Sequence, residues 1–223
     1  VGLLGYVLLG AVTMDRWQHR GGQSVRELGF GYGVLIAAIE DTGAYRVPAG
    51  VHYPGVAFSA HRLPFIPCFL IALRDALGDD LRWVALAKCL FFGGLLVSAG
   101  SLVLRTARAP LWAVLLLLGV GLTMPRWALN VFEVGLEEGY NIPALTLLFT
   151  LLWFGDSAGR ARLPWVLTVG GLLVLLLFLK SSMVYWCLAV PVLVGLRWRD
   201  WRAAGGLLLM VAAGLYALAT FNA

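Results

Sequence analysis

The sequence predicts an all-α polytopic membrane protein, and three observations carry this prediction. The chain of 223 residues is 61% hydrophobic and only 13% charged, whereas soluble domains contain about 25% charged residues. Its mean hydropathy is +0.85, and long apolar runs recur along it, as expected of helices that cross a bilayer. The chain is also rich in Trp and Tyr, which prefer the interface between membrane and water.

Seven apolar runs can be distinguished, so we expect about seven transmembrane helices. Several runs are shorter than the roughly 20 residues that a span needs, and their helices should extend into flanking residues. Because the first run begins at Val1 and is itself too short, we expect residues 1–223 to be a fragment of a single transmembrane domain. The runs are Val1–Thr13, Trp83–Leu104, Pro110–Leu122, Ile142–Trp153, Leu163–Leu179, Ser182–Leu196 and Ala203–Thr220.

The arginines predict the orientation of the chain. They are scattered between apolar runs instead of forming one basic stripe, so we expect no nucleic-acid partner. Short loops rich in arginine face the cytoplasm in most membrane proteins, and here they follow the second, fourth and sixth runs. The segment Met14–Arg82 should then be a large loop on the extracytoplasmic side. The arginines in question are Arg105, Arg108, Arg160, Arg162, Arg197, Arg199 and Arg202.

Two helices are predicted within this loop. The first covers residues 24–42, with Ser24 as N-cap, Glu27 at capping-box spacing and Gly43 as the stop. The second covers the apolar run Pro64–Leu73, which is too short to span and should lie in the membrane interface. At the end of the first helix, we expect the acids Glu40 and Asp41 to be solvated.

Lys88 is the clearest candidate for function among charged residues at membrane depth, where charges are costly. Two readings stay open for it: the side chain extends to the outer interface, or it faces an outward cavity and pairs with an anionic group such as a lipid phosphate. Glu137 and Glu138 precede an apolar run. Either they complement the positive end of its helix, or a carboxylate there lines the cavity and acts on a substrate hydroxyl or a divalent ion.

Within the loop, Arg62 either binds phosphate or donates hydrogen bonds to loop carbonyls. His52 and His61 have no matching third ligand, so we expect no zinc site and assign no metal ligand. The three cysteines form no CxxC pair and should be small buried side chains.

The loop resembles the first outward loop of the GT-C glycosyltransferases, polytopic enzymes that use sugars linked to polyprenyl phosphate. The matching pieces are Glu27, Tyr32, Ala37, "TGAY" at 42–45 and "SAHRLPFIPCFLIAL" at 59–73, with "EEGYNIPALTLLF" further on. The closest likeness is to the bacterial dolichyl-phosphate-mannose-protein mannosyltransferase-like group, which includes the lipid A aminoarabinose transferases.

This resemblance implies a GT-C-like fold in which the two interfacial helices roof a cavity. It also implies transfer of a hexosyl or pentosyl group from a polyprenyl-phosphate donor to a hydroxyl of a glycan, lipid or protein acceptor, at the outer face of the bacterial inner membrane. In that chemistry a loop carboxylate deprotonates or orients the acceptor. Glu27 matches this acid by position, although the family usually has Asp there, and Asp15 is the second candidate.

A cation would stabilise the departing phosphate in such a transfer. The candidates for contact with the substrate or lipid phosphate are Arg62, Lys88, Tyr32, His61 and Glu138. No cofactor is expected beyond an optional divalent cation, and membrane lipids surround the protein. The alternative is a non-catalytic transporter or flippase of lipid-linked glycans, which the Glu-for-Asp departure favours, although no paired repeats are visible.

Overall fold

The computed structural model describes residues 24–28, 32–43, 45–47, 58–59, 63–107, 112, 137–154 and 162–221. These residues are helical almost throughout. The helices are α1 (Tyr32–Thr42), α2 (Phe65–Leu77), α3 (Leu81–Ala107), α4 (Glu138–Phe154), α5 (Arg162–Leu179), α6 (Val184–Trp198) and α7 (Trp201–Phe221), with 3₁₀ turns at Val25–Glu27 and Ser181–Met183.

Among the described residues, a short antiparallel ladder departs from the helical architecture. Strand β1 (Arg46–Val47) pairs with β2 (Phe58–Ser59), with Arg46 opposite Ser59. The ladder joins the two ends of the connector between α1 and α2. Apolar periodicity does not reveal strands as short as these.

Three helices in the described part of the chain are long and apolar enough to cross a membrane: α3 over Leu81–Leu104, α6 with its preceding turn over Ser181–Trp198, and α7 over Trp201–Phe221. Helix α5 is apolar but shorter. Five of the predicted runs coincide with α3 to α7, which confirms that they are helical. The runs Val1–Thr13 and Pro110–Leu122 lie wholly or mostly outside the described residues, so the number of spans stays a prediction.

The predicted helix over residues 24–42 begins later than expected, at Tyr32. Ser24 Oγ accepts the backbone N–H of Arg26 at 3.2 Å, so it caps a 3₁₀ turn, and the capping box predicted for α1 is wrong. The turn ends at Leu28, whose backbone is extended. The predicted stop is confirmed: Gly43 adopts φ 68°, and its N–H donates to the Ile39 carbonyl at 2.8 Å.

Helix α2 is longer than the predicted run Pro64–Leu73. It buries Ile66, Pro67 and Leu70 and ends at Gly78, which has φ 90°. Asp80 then caps α3, since its carboxylate accepts the N–H of Arg82 at 3.0 Å. The Arg82 guanidinium also holds the pKa of the Asp80 carboxyl below its usual range. The interfacial position of α2 stays a prediction.

The described residues form two compact units. The first contains those up to Gly93 together with residues 137–140, and its core comes from Val25, Tyr32, Leu35, Ile36, Ile66, Leu70, Val84 and Phe92. The second contains the described residues from Gly94 to residue 107 and from Asn141 onward. Its core is built mainly by α5, α6 and α7, through Leu173, Leu176, Val190, Val194, Leu207 and Val211.

Gly33 provides a test of how the 3₁₀ turn packs on α1. A Cβ at this position would lie 2.1 Å from the Arg26 carbonyl oxygen, which is backbone and cannot rotate away. We expect Gly33→Ala to lower the free energy of unfolding by about 1–3 kcal/mol through this overlap. Thermal unfolding of the detergent-purified protein measures the change.

The matched control is Gly171→Ala in α5, where nothing lies within 4 Å of the added Cβ. Because Ala is the better helix former by about 1 kcal/mol, this control should be neutral or stabilising. Equal stability of Gly33→Ala and the wild type would show that the turn does not pack against α1 in this way.

Candidate functional site

A buried group of polar and aromatic side chains lies inside the first unit. We call Tyr32, Lys88, Glu137 and Tyr140 the lysine–tyrosine cluster. The Tyr32 hydroxyl donates to Glu137 Oε1 at 3.2 Å, and the Lys88 ammonium lies 4.7 Å from the centre of the Tyr140 ring. Lys88 and Tyr140 are both 0% exposed. The structure therefore brings together two of the residues predicted from sequence, Tyr32 and Lys88.

Four segments position the cluster. Tyr32 is the first residue of α1, and Lys88 lies about two turns into α3. Glu137 opens α4, because its carbonyl accepts the N–H of Tyr140 at 3.0 Å. Phe92 and Phe69, the latter from α2, meet the Tyr140 ring edge to face, at centroid distances of 4.9 and 6.3 Å. Aromatic rings thus form one wall of the cluster.

The position of Lys88 does not match the first of its two interpretations, in which the side chain extends to the outer interface. A lysine that extended to the interface would expose its ammonium group, but the side chain is fully buried and points at an aromatic face. Burial of an ammonium ion is costly unless other groups compensate for lost water, and the negative face of the Tyr140 ring does so in part. Lys88 is therefore an interior lysine, and an anionic ligand would reach its amino group only if the cluster opened.

Two of the three carboxylates predicted as site residues lie in the described part of the chain, at different places. Glu27 is exposed on the 3₁₀ turn and is not a member of the cluster. Its turn packs against the start of α1 through the close approach of Arg26 and Gly33. Glu138 occupies the first turn of α4, where a negative charge suits the helix dipole, and its neighbour Glu137 makes the contact with Tyr32. Asp15, His61 and Arg62 lie outside the described residues.

A second polar group, which we call the Glu40 bridge, connects the segments of the loop. The Glu40 carboxylate accepts a hydrogen bond from Arg26 Nε at 2.5 Å and another from the Arg74 guanidinium. The Glu40 side chain is only 13% exposed, so the expectation that it is solvated is wrong. Asp41 is 62% exposed and contacts Arg26 at 3.2 Å. Two cations compensate Glu40 at a helix end where its charge is otherwise unfavourable.

Sequence reasoning missed Glu40, Arg74 and Tyr140 as members of polar groups. For Glu40 a signal existed, since an acid in the last turn of a helix calls for a nearby cation. Arg74 stands near the end of α2 and was the available partner. For Tyr140 no pattern distinguished its phenol from the other interfacial aromatics.

Within the ranges that the structure describes, no group of three His, Cys, Asp or Glu side chains can hold a metal ion. No model of a known protein family matches the chain, and no curated protein or solved structure matches it either. The fold and the site together define a class of protein and not a particular activity. The described part of the chain is helical, with three helices long and apolar enough to cross a membrane, and its first unit encloses a lysine against tyrosine and phenylalanine rings.

The Glu40 bridge gives a stability test. Glu40→Gln removes the negative charge that Arg26 and Arg74 share, and it leaves Arg74 with the exposed Asp75 as its remaining carboxylate partner. We expect the free energy of unfolding to fall by about 1–3 kcal/mol, since two arginines lose the charge-assisted hydrogen bonds to their shared, largely buried carboxylate. Thermal unfolding in detergent measures the loss.

Asp41→Asn makes the same chemical change one residue away, at an exposed side chain. Exposed ion pairs contribute about 0–1 kcal/mol, so this control should stay close to the wild type. If the two variants lose the same stability, Glu40 does not hold the loop segments together.

Proposed function

We propose that the protein is an integral-membrane glycosyltransferase of the GT-C type. It transfers a hexosyl or pentosyl group from a polyprenyl-phosphate donor to an acceptor hydroxyl, at the extracytoplasmic face of a bacterial inner membrane. The observation that carries the proposal is the loop sequence from Glu27 to Leu73, which resembles the first outward loop of that family. The three helices of spanning length are consistent with such an enzyme.

The lysine–tyrosine cluster supports the proposal through the chemistry of the leaving group. When the bond between the sugar and the phosphate breaks, negative charge accumulates on the phosphate oxygens. A positioned cation in surroundings that exclude water stabilises such charge far more than one in bulk water. Lys88 is a cation of this kind. The cluster is closed in the structure, so the proposal requires that the donor phosphate displaces Lys88 from the Tyr140 ring.

Glu27 is the proposed general base. Its carboxylate takes the proton of the acceptor hydroxyl, the hydroxyl oxygen attacks the anomeric carbon, and the bond from that carbon to the phosphate oxygen breaks. Polyprenyl phosphate leaves with the bonding electrons, and the anomeric configuration inverts. The exposure of Glu27 leaves it accessible to an acceptor. Asp15 is the second candidate for this role, and Arg62, His61 and Glu138 are proposed to bind the substrates.

The test is release of polyprenyl phosphate by the reconstituted full-length protein, given a lipid-linked sugar and an acceptor, with and without EDTA. We expect Glu27→Gln to lower turnover by about 100-fold or more, the usual contribution of a general base. Asp41→Asn replaces another exposed loop carboxylate and should leave turnover within about twofold. If Glu27→Gln and Asp15→Asn both retain full turnover, the assignment of the base is wrong.

A second candidate function is non-catalytic movement of lipid-linked glycans. The observation that favours it is the separation of roles in the first unit: Glu27 is exposed on its turn, whereas Lys88 is enclosed in the cluster. Proteoliposomes distinguish the two functions. Transport of the lipid-linked glycan without any release of polyprenyl phosphate would support the transporter and contradict the transferase.

A further inference from the structure

The turn between α6 and α7 concentrates arginine and tryptophan at one end of the second unit. Its sequence, "RWRDWR", runs from Arg197 to Arg202. The Arg197 guanidinium lies 5.4 Å from the ring centre of Trp153 and 5.6 Å from that of Trp198. Trp198 in turn meets Trp165 edge to face at 5.6 Å. Two aromatic rings thus hold Arg197 by cation–π contact, while its side chain remains exposed.

The one acid of this turn is already used as a helix cap. Asp200 Oδ1 accepts the N–H of Ala203 at 3.1 Å, so its charge complements the positive end of α7. The ion pairs found among the described residues involve Arg26, Arg74 and Arg82. Arg197, Arg199 and Arg202 are exposed. The turn therefore presents three positive charges.

The backbone conformation of the turn determines where the three guanidinium groups lie. Arg199 has φ 51°, in the left-handed region that non-glycine residues rarely adopt, and it reverses the chain between the two helices. Trp201 packs its ring directly on α6, because a Cβ at Gly195 would lie 2.5 Å from a ring carbon. The Trp201 side chain nevertheless remains 63% exposed. The arginines of the turn are thus next to a tryptophan ring that packs on α6.

The position of the turn at the end of two apolar helices indicates which kind of anion would bind there. Helices α6 and α7 are both of spanning length, so the turn that joins them lies where the apolar part of the bilayer gives way to headgroups. Exposed Trp rings prefer this layer, and arginines beside transmembrane helices attract anionic lipids. A nucleic acid or acidic protein would instead require a polar surface around the arginines, and exposed Trp153, Leu196 and Trp201 are next to them.

We propose that the turn from Arg197 to Arg202 binds the headgroup phosphate of an anionic phospholipid such as phosphatidylglycerol. Guanidinium groups donate paired hydrogen bonds to phosphate oxygens, and the tryptophan rings contact the adjoining glycerol and acyl carbons. This surface belongs to the second unit and does not depend on the proposed glycosyl transfer.

The test uses the full chain, purified in a non-ionic detergent and titrated with detergent-solubilised phosphatidylglycerol or with phosphatidylcholine of the same acyl chains. Native mass spectrometry counts the bound lipids and gives an apparent Kd. The wild type should bind phosphatidylglycerol in preference. The double variant Arg199→Gln/Arg202→Gln should bind it about 30-fold more weakly, which corresponds to about 1 kcal/mol for each arginine near the lipid surface.

Two controls accompany the double variant. Lys180→Gln removes a positive charge at the opposite end of α6, and its affinity for phosphatidylglycerol should stay within about twofold of the wild type. Arg199→Lys/Arg202→Lys keeps the charge but loses the paired hydrogen bonds, so its affinity for phosphatidylglycerol should lie between those of the wild type and the double Gln variant. Far-ultraviolet circular dichroism checks the folding of each variant.

Three results would overturn the proposal. The first is equal binding of the two lipids by the wild type. The second is an unchanged affinity for phosphatidylglycerol in the double Gln variant. The third is displacement of phosphatidylglycerol by a short single-stranded oligonucleotide at equal phosphate concentration, which would identify a general polyanion surface instead of a lipid site.

Discussion

The arrangement of the first unit depends on one carboxylate. Glu40, in the last turn of α1, accepts hydrogen bonds from Arg26 on the 3₁₀ turn and from Arg74 on α2. Arg26, Glu40 and Arg74 belong to three different segments, so the hydrogen bonds within each helix or turn do not bring these side chains together. The bridge supplies that constraint. Because the 3₁₀ turn carries Glu27 and α1 begins with Tyr32, the same carboxylate positions an exposed acid and one member of the buried cluster.

The lysine–tyrosine cluster is the second polar group of the first unit, beside the Glu40 bridge. A buried ammonium group destabilises a fold unless contacts replace its water, and in this unit the Tyr140 face, with Phe92 and Phe69 around it, encloses Lys88. In this arrangement an ammonium group lies in surroundings of low dielectric constant. Under the proposed function, the phosphate of the donor would bind the Lys88 ammonium group and compensate its buried charge. This is the physical reason to expect a lysine at this position in place of an apolar residue.

The elements that follow from local patterns were predictable, and those that follow from tertiary pairing were not. Apolar runs predicted α3 to α7, and Gly43 predicted the end of α1, because both depend on neighbours in sequence. Ser24 failed as the cap of α1, since the extended Leu28 ends the turn before the helix starts. The position of Glu40 in the last turn of a helix indicated the need for a cation but did not identify Arg74, which is 34 residues away. Lys88 carried no local sign of its partner, since Tyr140 joins it only in the folded chain.

Binding of polyprenyl phosphate to the reconstituted protein tests the central claim most directly, because it probes Lys88 without requiring an identified sugar or acceptor. Lys88→Met keeps the length of the side chain and removes the charge, and thermal unfolding in detergent checks that the variant remains folded. Lys180→Met is the matched control at a helix end. The account predicts that Lys88→Met binds polyprenyl phosphate at least about tenfold more weakly than the wild type, the scale of one charge-assisted contact. Equal affinity of Lys88→Met and the wild type would contradict it.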